Sequence, residues 1–180
     1  ATDTIVVQVQ ALTSMVNDFR DYARTPLPVL DSVDLNHLVS EVLALYEQSG
    51  ARIQSQLAPQ LPLVTADVNQ IRQVIHNLLT NAQDALTGQA APQIAISTER
   101  IRNYAWLRVT DNGGGFPEGI IKRAFEPYVT TKPKGTGLGL AIVKKIVDEH
   151  QGQIVIENMP HADAVGVAGA RISISMPLAA

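Results

Sequence analysis

Residues 67–86 read Asp67-Val-Asn-Gln-Ile71-Arg-Gln73-Val-Ile-His76-Asn77-Leu-Leu-Thr-Asn81-Ala-Gln-Asp84-Ala-Leu86. Ile71, Val74, Ile75, Leu78, Leu79, Ala82 and Leu86 recur at spacings of three and four, the period of one helix face. Asp67 stands where an N-cap carboxylate takes the first free N–H groups, and Gly88 and Pro92 end the run. The opposite side is patterned too. Gln73, Asn77, Asn81 and Asp84 fall about one turn apart, in a polar stripe beside the apolar face. Two amides and a carboxylate so aligned can ligate a hard cation and orient a phosphate, since an Asn carbonyl is an oxygen donor that Mg²⁺ accepts. Taken alone, the plainer reading is a solvated polar face.

Working outward, residues 4–24 form a second periodic stretch, with Ile5, Val9, Leu12, Val16, Phe19 and Ala23 in one narrow apolar stripe. Such a stripe wants a partner helix. It stops at Thr25-Pro26-Leu27-Pro28, which no helix continues. This is the best domain boundary, dividing 1–25 from 26–180; the alternative is that the helix packs onto the domain after it. Asp34 is the N-cap expected for a helix over residues 35–48, ended by Gly50. Short strand-like pieces hold Ile53 and Leu57, then Leu63 and Val64. Residues 93–100 and 105–111 alternate and read as strands, as do 153–157 and 170–176, which suit a hairpin. A short helix is expected after Pro117, a long loop over 125–139, and a helix over 140–150. This mixed order predicts an α+β fold: a two-layer sandwich of a mixed, mostly antiparallel sheet with helices on one face, preceded by an N-terminal helix.

The composition narrows the class. The chain has 180 residues, 46% of them hydrophobic, which excludes disorder as the main state. A net charge of −3 disfavours a general nucleic-acid binder. There is no cysteine, so disulfide scaffolds, thiol catalysis and Cys-ligated zinc are excluded. No apolar run approaches the ~20 residues that a membrane span needs. The chain opens within a helical pattern, as a piece of a longer protein would.

Two glycine turns complete the chemistry. Asp111-Asn-Gly113-Gly-Gly115 follows a strand, so Asp111 sits at a strand end. A buried carboxylate there can accept a hydrogen bond from an exocyclic amine such as that of adenine, and glycines let backbone approach a flat ring. An ordinary Asp-Asn-Gly turn is the alternative. Gly135-Thr136-Gly137-Leu138-Gly139 runs into the helix over 140–150, and backbone amides at a helix N-terminus form an anion site. Lys132 and Lys134 add positive charge beside it. The loop is neither a Walker A nor a Rossmann sequence; a flexible hinge is its alternative reading. The three elements together offer a cation ligand, an adenine acceptor and a phosphate cradle.

Residues 67–177 resemble the ATP-binding catalytic domain of sensor histidine kinases, within the gyrase, Hsp90 and MutL ATPase superfamily. Asn77-Leu-Leu-Thr-Asn81-Ala is similar to the family's N box and Asp111 to Gly115 to its first glycine box. Phe125-Glu-Pro-Tyr128, with Thr130, Thr131 and Lys132, resembles the F box, and Gly135 to Gly139 the second glycine box. Residues 4–24 resemble the second helix of the dimerisation and phosphotransfer hairpin, in wording similar to NtrY/NtrB-type nitrogen-regulation kinases. The resemblance implies that Asn81 holds Mg²⁺ with Asn77 beside it, and that Asp84, Phe125 and Tyr128 belong to the nucleotide site. It implies that Asp111 binds adenine in a pocket shaped by Gly113 and Gly115. Lys132, Thr136 and the backbone of Gly137, Leu138 and Gly139 then meet the phosphates, with Asn77 and Lys132 as catalytic groups. Residues 125–134 would be a mobile lid over ATP.

The family's phosphoacceptor is a His followed by an acidic residue. His37, His76, His150 and His161 are followed by Leu, Asn, Gln and Ala, so the acceptor is expected outside this chain. His76 reads as a packed or solvated helical residue. Gyrase-like ATPases carry a water-activating Glu where this chain has Asn77, which cannot act as a base near neutral pH. That favours phosphoryl transfer to an imidazole over hydrolysis. The implied partners are ATP with Mg²⁺, the kinase's own hairpin in a homodimer, and a response regulator. The implied location is cytoplasmic, with anchoring of the parent protein in the inner membrane left open. A gyrase- or Hsp90-like ATPase, a Ser/Thr kinase of the superfamily and a nucleotide-binding module without kinase activity are the other readings.

Overall fold

The computed structural model describes residues 2–47, 50–132, 135–161 and 166–180. Its elements are α1 (Thr2–Ala23), β1 (Asp31–Val33), α2 (Leu35–Ala44), β2 (Arg52–Gln56), β3 (Val64–Ala66) and α3 (Val68–Ala85). They continue with β4 (Gln93–Ile101), β5 (Tyr104–Asp111), α4 (Glu118–Ile121), α5 (Gly139–Glu149), β6 (Ile154–Pro160) and β7 (Val167–Pro177). Gln48, expected to end the second helix, and Lys134, expected to add charge to the glycine loop, lie outside the described residues.

Five strands form one sheet in the order β2-β4-β5-β7-β6, with β2 parallel to β4 and every other pair antiparallel. Alternation aims one side of each strand inward. Ile96, Val109, Ile172 and Ile156 stand in register across four strands. Helices α2, α3 and α5 cover this face, and their apolar residues join those of the sheet in one core. The result is the expected two-layer α+β sandwich. The outer face of the sheet carries polar residues and the Trp106–Arg108 pair, with the guanidinium 5.9 Å from the ring centroid.

Three details depart from the sequence reading. A small sheet pairs β1 with β3, Asp31 opposite Ala66 and Val33 opposite Val64. Helix α2 stops at Ala44, short of the expected end, with Leu45 as its exposed C-cap. The strand of the last hairpin that begins at Ile154 runs on to Pro160, where the register shifts against β7.

Asp67 fixes how α3 enters the core. Its carboxylate accepts N–H bonds from Asn69 and Gln70 in the first turn and from Val29 in the linker, at 3.0, 3.1 and 2.8 Å. Its own N–H donates to His150 Nε2 at 2.9 Å, while His150 Nδ1 lies 2.7 Å from the Ile146 carbonyl. Both bonds are satisfied by a neutral imidazole protonated on Nδ1. Burial pushes the Asp67 carboxyl up, but the N–H donors outweigh it and hold its pKa below the usual value. A depressed folded pKa contributes stability above the unfolded value of about 3.9, and that stability is lost as pH falls through the folded value. Asp67→Ala is therefore expected to cost about 1–2 kcal/mol in urea unfolding at pH 7. The gap to the parent protein should shrink at pH 3, and an undiminished gap there would contradict this role of the carboxylate.

Candidate functional site

Helix α3 presents two working faces. Ile71, Val74, Ile75, Leu78, Leu79 and Ala82 are buried against the sheet and its helix neighbours. With that face fixed, rotation about the helix axis directs Asn77, Asn81 and Asp84 the other way, into a cavity of about 420 Å³. The cavity is bounded by α3, the start of α5, residues 129–132 and residues 135–137, with Ser14 and Asp18 of α1 also lining it. A volume of this order suits a small organic ligand.

Lys132 crosses the mouth of this cavity. Its ammonium donates to Asn81 Oδ1 at 3.1 Å and to Asp84 Oδ2 at 2.7 Å. One cation is thus gathered by two oxygen donors spaced three residues apart on one helix face, the geometry that the sequence stripe implied for a hard cation. Asn77 Nδ2 donates to the Gly139 carbonyl at 3.4 Å and so ties α3 to the start of α5. Gln73 does not join the cavity; its amide donates to Asp21 of α1. His76 turns the other way, with Nδ1 2.9 Å from the Tyr46 hydroxyl, and is a packed helical residue.

The start of α5 is open to an anion. Leu138 occupies the N-cap with no side-chain cap hydrogen bond, so among the described residues no side chain takes the first-turn N–H groups. The Leu138 side chain is buried in the core, leaving only its backbone for a ligand, and its N–H donates to Thr136 Oγ1 at 3.3 Å. Gly137 has φ +69°, and a Cβ there would lie 2.6 Å from the Tyr128 carbonyl carbon. The close approach lets Tyr128 N–H donate to Gly137 O at 3.0 Å. Tyr128 itself has φ +65° and an exposed ring.

Alternation turns Asp111 inward. Ala105, Leu107 and Val109 of β5 face inward, so the fourth residue of that set brings a carboxylate to the inner edge of the sheet. Its Oδ1 accepts from Gly113 N at 2.8 Å and Ala170 N at 3.4 Å. Burial pushes the carboxyl pKa up, opposed by those N–H donors and by the charge of Lys132. Gly113 packs so closely under α3 that a Cβ would lie 2.5 Å from the Ala85 carbonyl oxygen. Two amides clamp this turn. Asn112 accepts from Gln93 N and donates to Ala91 O; Asn158 accepts from Phe116 N and donates to Phe116 O, all at 2.8 Å.

Of the residues singled out from sequence, Asn77, Asn81, Asp84, Lys132, Thr136, Gly137 and Gly139 line the cavity. Asp111, Gly113, Gly115, Phe125, Tyr128 and Leu138 do not; they lie behind or beside its walls. The sequence reading missed Thr80, Phe116 and Asp18. Thr80 stands three residues after Asn77 and could have been found on the helix face. Phe116 and Asp18 arrive through tertiary structure and leave no local signal.

The chain is similar to known proteins in sequence and in fold. Residues 66–180 match the family model described as histidine kinase-, DNA gyrase B-, and HSP90-like ATPase. The nitrogen regulation protein NtrY of Azorhizobium caulinodans is 37% identical over 168 residues, which is 88% of this chain and 21% of that relative. The chain thus spans about a fifth of the length of that curated relative. The nucleotide-free catalytic domain of histidine kinase ThkA superposes with a TM-score of 0.72 at 32% identity, covering 83% of this chain and 95% of that one. Histidine kinase ThkA in complex with response regulator TrrA gives a TM-score of 0.78 at 26% identity, covering 98% of this chain and 50% of that one.

The Tyr128–Gly137 contact gives a direct check on the cavity wall. Gly137→Ala is expected to strip the Tyr128 amide of hydrogen-exchange protection while leaving the amides of α3 protected, because the atoms nearest the added Cβ belong to Tyr128 and Val129 of the wall segment. Unchanged protection at Tyr128 would contradict the close approach.

Proposed function

Because the chain belongs to the histidine kinase-, DNA gyrase B-, and HSP90-like ATPase family, we propose that its cavity binds ATP with Mg²⁺ as the catalytic part of a two-component sensor histidine kinase. The observation that carries this reading is one cavity lined by Asn77, Asn81, Asp84, Lys132, Thr136 and the open start of α5. Asn81 Oδ1 and Asp84 Oδ2 already converge on a cation, the Lys132 ammonium, so the donor set fits a hard divalent ion. In this reading Asn81 is the family's Mg²⁺ ligand. Lys132 moves from these oxygens to the phosphates, and the residue 137–139 backbone with the first turn of α5 receives the remaining phosphate charge. Asp111 recognises the adenine amine, its inward position set by β5. Bound Mg²⁺-ATP supplies a γ-phosphoryl group whose charge the metal offsets.

The reaction we assign is transfer rather than hydrolysis. Asn77 stands beside Asn81 as an amide and takes no proton from water, whereas an imidazole nitrogen is itself a nucleophile. An N–P bond forms on the acceptor His as the γ-phosphorus–oxygen bond breaks and ADP leaves. His150 is excluded as acceptor, being buried with both ring nitrogens engaged. The acceptor belongs to a dimerisation hairpin whose second helix is α1, with residues 26–180 as the catalytic domain. Support comes from the surface of α1: Ile5, Val9, Leu12, Val16 and Phe19 are exposed in one stripe, as a helix made for a four-helix bundle with a second copy requires. From the hairpin the group passes to an aspartate of a response regulator, the class of partner seen with ThkA. Among the described residues no helix is long and apolar enough to cross a membrane. A cytoplasmic site for this part remains our proposal, with any anchor belonging to the rest of the parent protein.

Calorimetric titration with a non-hydrolysable ATP analogue tests the reading. Saturable binding is expected, tightened by Mg²⁺. Asn81→Ala should abolish the Mg²⁺ effect without unfolding the protein, and Asp111→Asn should weaken binding by about tenfold or more. No binding, or Mg²⁺ dependence retained in Asn81→Ala, would contradict it.

A further inference from the structure

Helix α1 reaches the cavity through Ser14 and Asp18, and Asp18 carries the charge. Asp18 Oδ2 accepts a hydrogen bond from Thr136 Oγ1 at 2.8 Å, and Asp18 lines the cavity. Thr136 belongs to the loop to which the phosphates have been assigned. A carboxylate therefore stands on the phosphate cradle while α1 is docked. The surrounding charge makes this matter. Among the described residues that line the cavity, the charged side chains are Asp18, Asp84 and Lys132, and Lys132 is already paired with Asp84. Among the described residues, the cavity has no cation left unpaired to offset Asp18 when a polyphosphate arrives.

The docking of α1 is also of a kind that comes apart readily. Apart from the partly buried Tyr22, its attachment is polar. Gln73 donates to Asp21 at 3.2 Å, and Lys145 donates to the Tyr22 carbonyl at 3.2 Å with its ammonium 5.8 Å from the Tyr22 ring centroid. The apolar stripe of α1 faces solvent whether or not these bonds are made. Little apolar surface is exposed by release, so the balance between docked and released states is set by a few exchangeable hydrogen bonds.

We propose that Asp18 is an acidic latch on the nucleotide site: docked α1 holds the Thr136 hydroxyl and repels the polyphosphate, so that nucleotide binding and α1 docking oppose each other. This rests on the ATP reading above and adds its regulation. By linkage the effect is reciprocal. A nucleotide that binds more weakly to the docked state releases α1 on binding, and whatever holds α1 down lowers nucleotide affinity. The helix that would carry the phosphotransfer hairpin is thereby freed when the phosphate donor is in place.

Asp18→Asn keeps an acceptor for Thr136 and removes the charge. It is expected to bind the non-hydrolysable ATP analogue about fivefold more tightly than the parent chain, while the affinity for adenosine, which has no phosphate, stays the same. The chain has no cysteine, so Gln10→Cys gives a single site for a spin label on α1. The label should gain mobility when the ATP analogue is added and not when adenosine is added. Equal analogue affinities for the parent and Asp18→Asn, or a label indifferent to the analogue, would overturn the latch while leaving the ATP reading intact. Absence of analogue binding in both proteins would overturn the ATP reading, and the latch with it.

Discussion

The burial of one face of α3 is the constraint on which the rest of this structure depends. Ile71, Val74, Ile75, Leu78, Leu79 and Ala82 are almost wholly removed from water. A helix so committed cannot rotate without exposing several large side chains, each worth roughly 1.5–3 kcal/mol of burial. The direction of Asn77, Asn81 and Asp84 is therefore fixed by packing on the other side of the same helix. The Asp67 cap adds a second constraint at the start of α3. One residue joins the first turn of α3, the linker at Val29 and the end of α5 at His150. The two helices that border the cavity are held at their far ends by the same small polar cluster.

Against this fixed floor, the rest of the cavity is assembled from exchangeable contacts. The turn after β5 is rigid, clamped by Asn112 and Asn158 and crowded under Ala85. The opposite wall is held by a few polar contacts: Lys132 to Asn81 and Asp84, Thr136 to Asp18, Tyr128 to Gly137. Each can be traded for an equivalent bond to a charged ligand at little net cost. A firm floor with an exchangeable wall lets a site close over a ligand without disturbing the core.

Much of this was legible in the residues. The two-layer α+β architecture followed from period and punctuation, because α3, α5 and the strands β4 and β5 each bury one clean face. The Asp34 and Asp67 caps were readable for the same reason: a carboxylate before a periodic run has one strong use. The polar stripe on α3 was readable because helical spacing alone brings its members together. What escaped depended on distant pairing. Residues 31–33 are too few to show alternation, and β1 exists only because β3 lies beside it. Asn112 and Asn158 look like ordinary turn and strand residues until the backbone they clamp is brought to them. Asp18 is 118 positions from its partner Thr136, and no local pattern joins them. Leu138 shows the limit of reading a motif by position, since its side chain belongs to the core and only its backbone faces the loop.

The central claim is that the stripe of α3, the turn at Asp111 and the start of α5 serve one nucleotide. Amide chemical-shift mapping by NMR, with a non-hydrolysable ATP analogue and Mg²⁺ titrated into the labelled protein, tests it most directly. The largest shifts are expected to fall together on the side-chain amides of Asn77 and Asn81 and on the backbone amides of Gly113 and residues 136–140. Little change is expected on the outer face of the sheet around Trp106. Shifts confined to another surface, or to one of the three elements without the others, would contradict it.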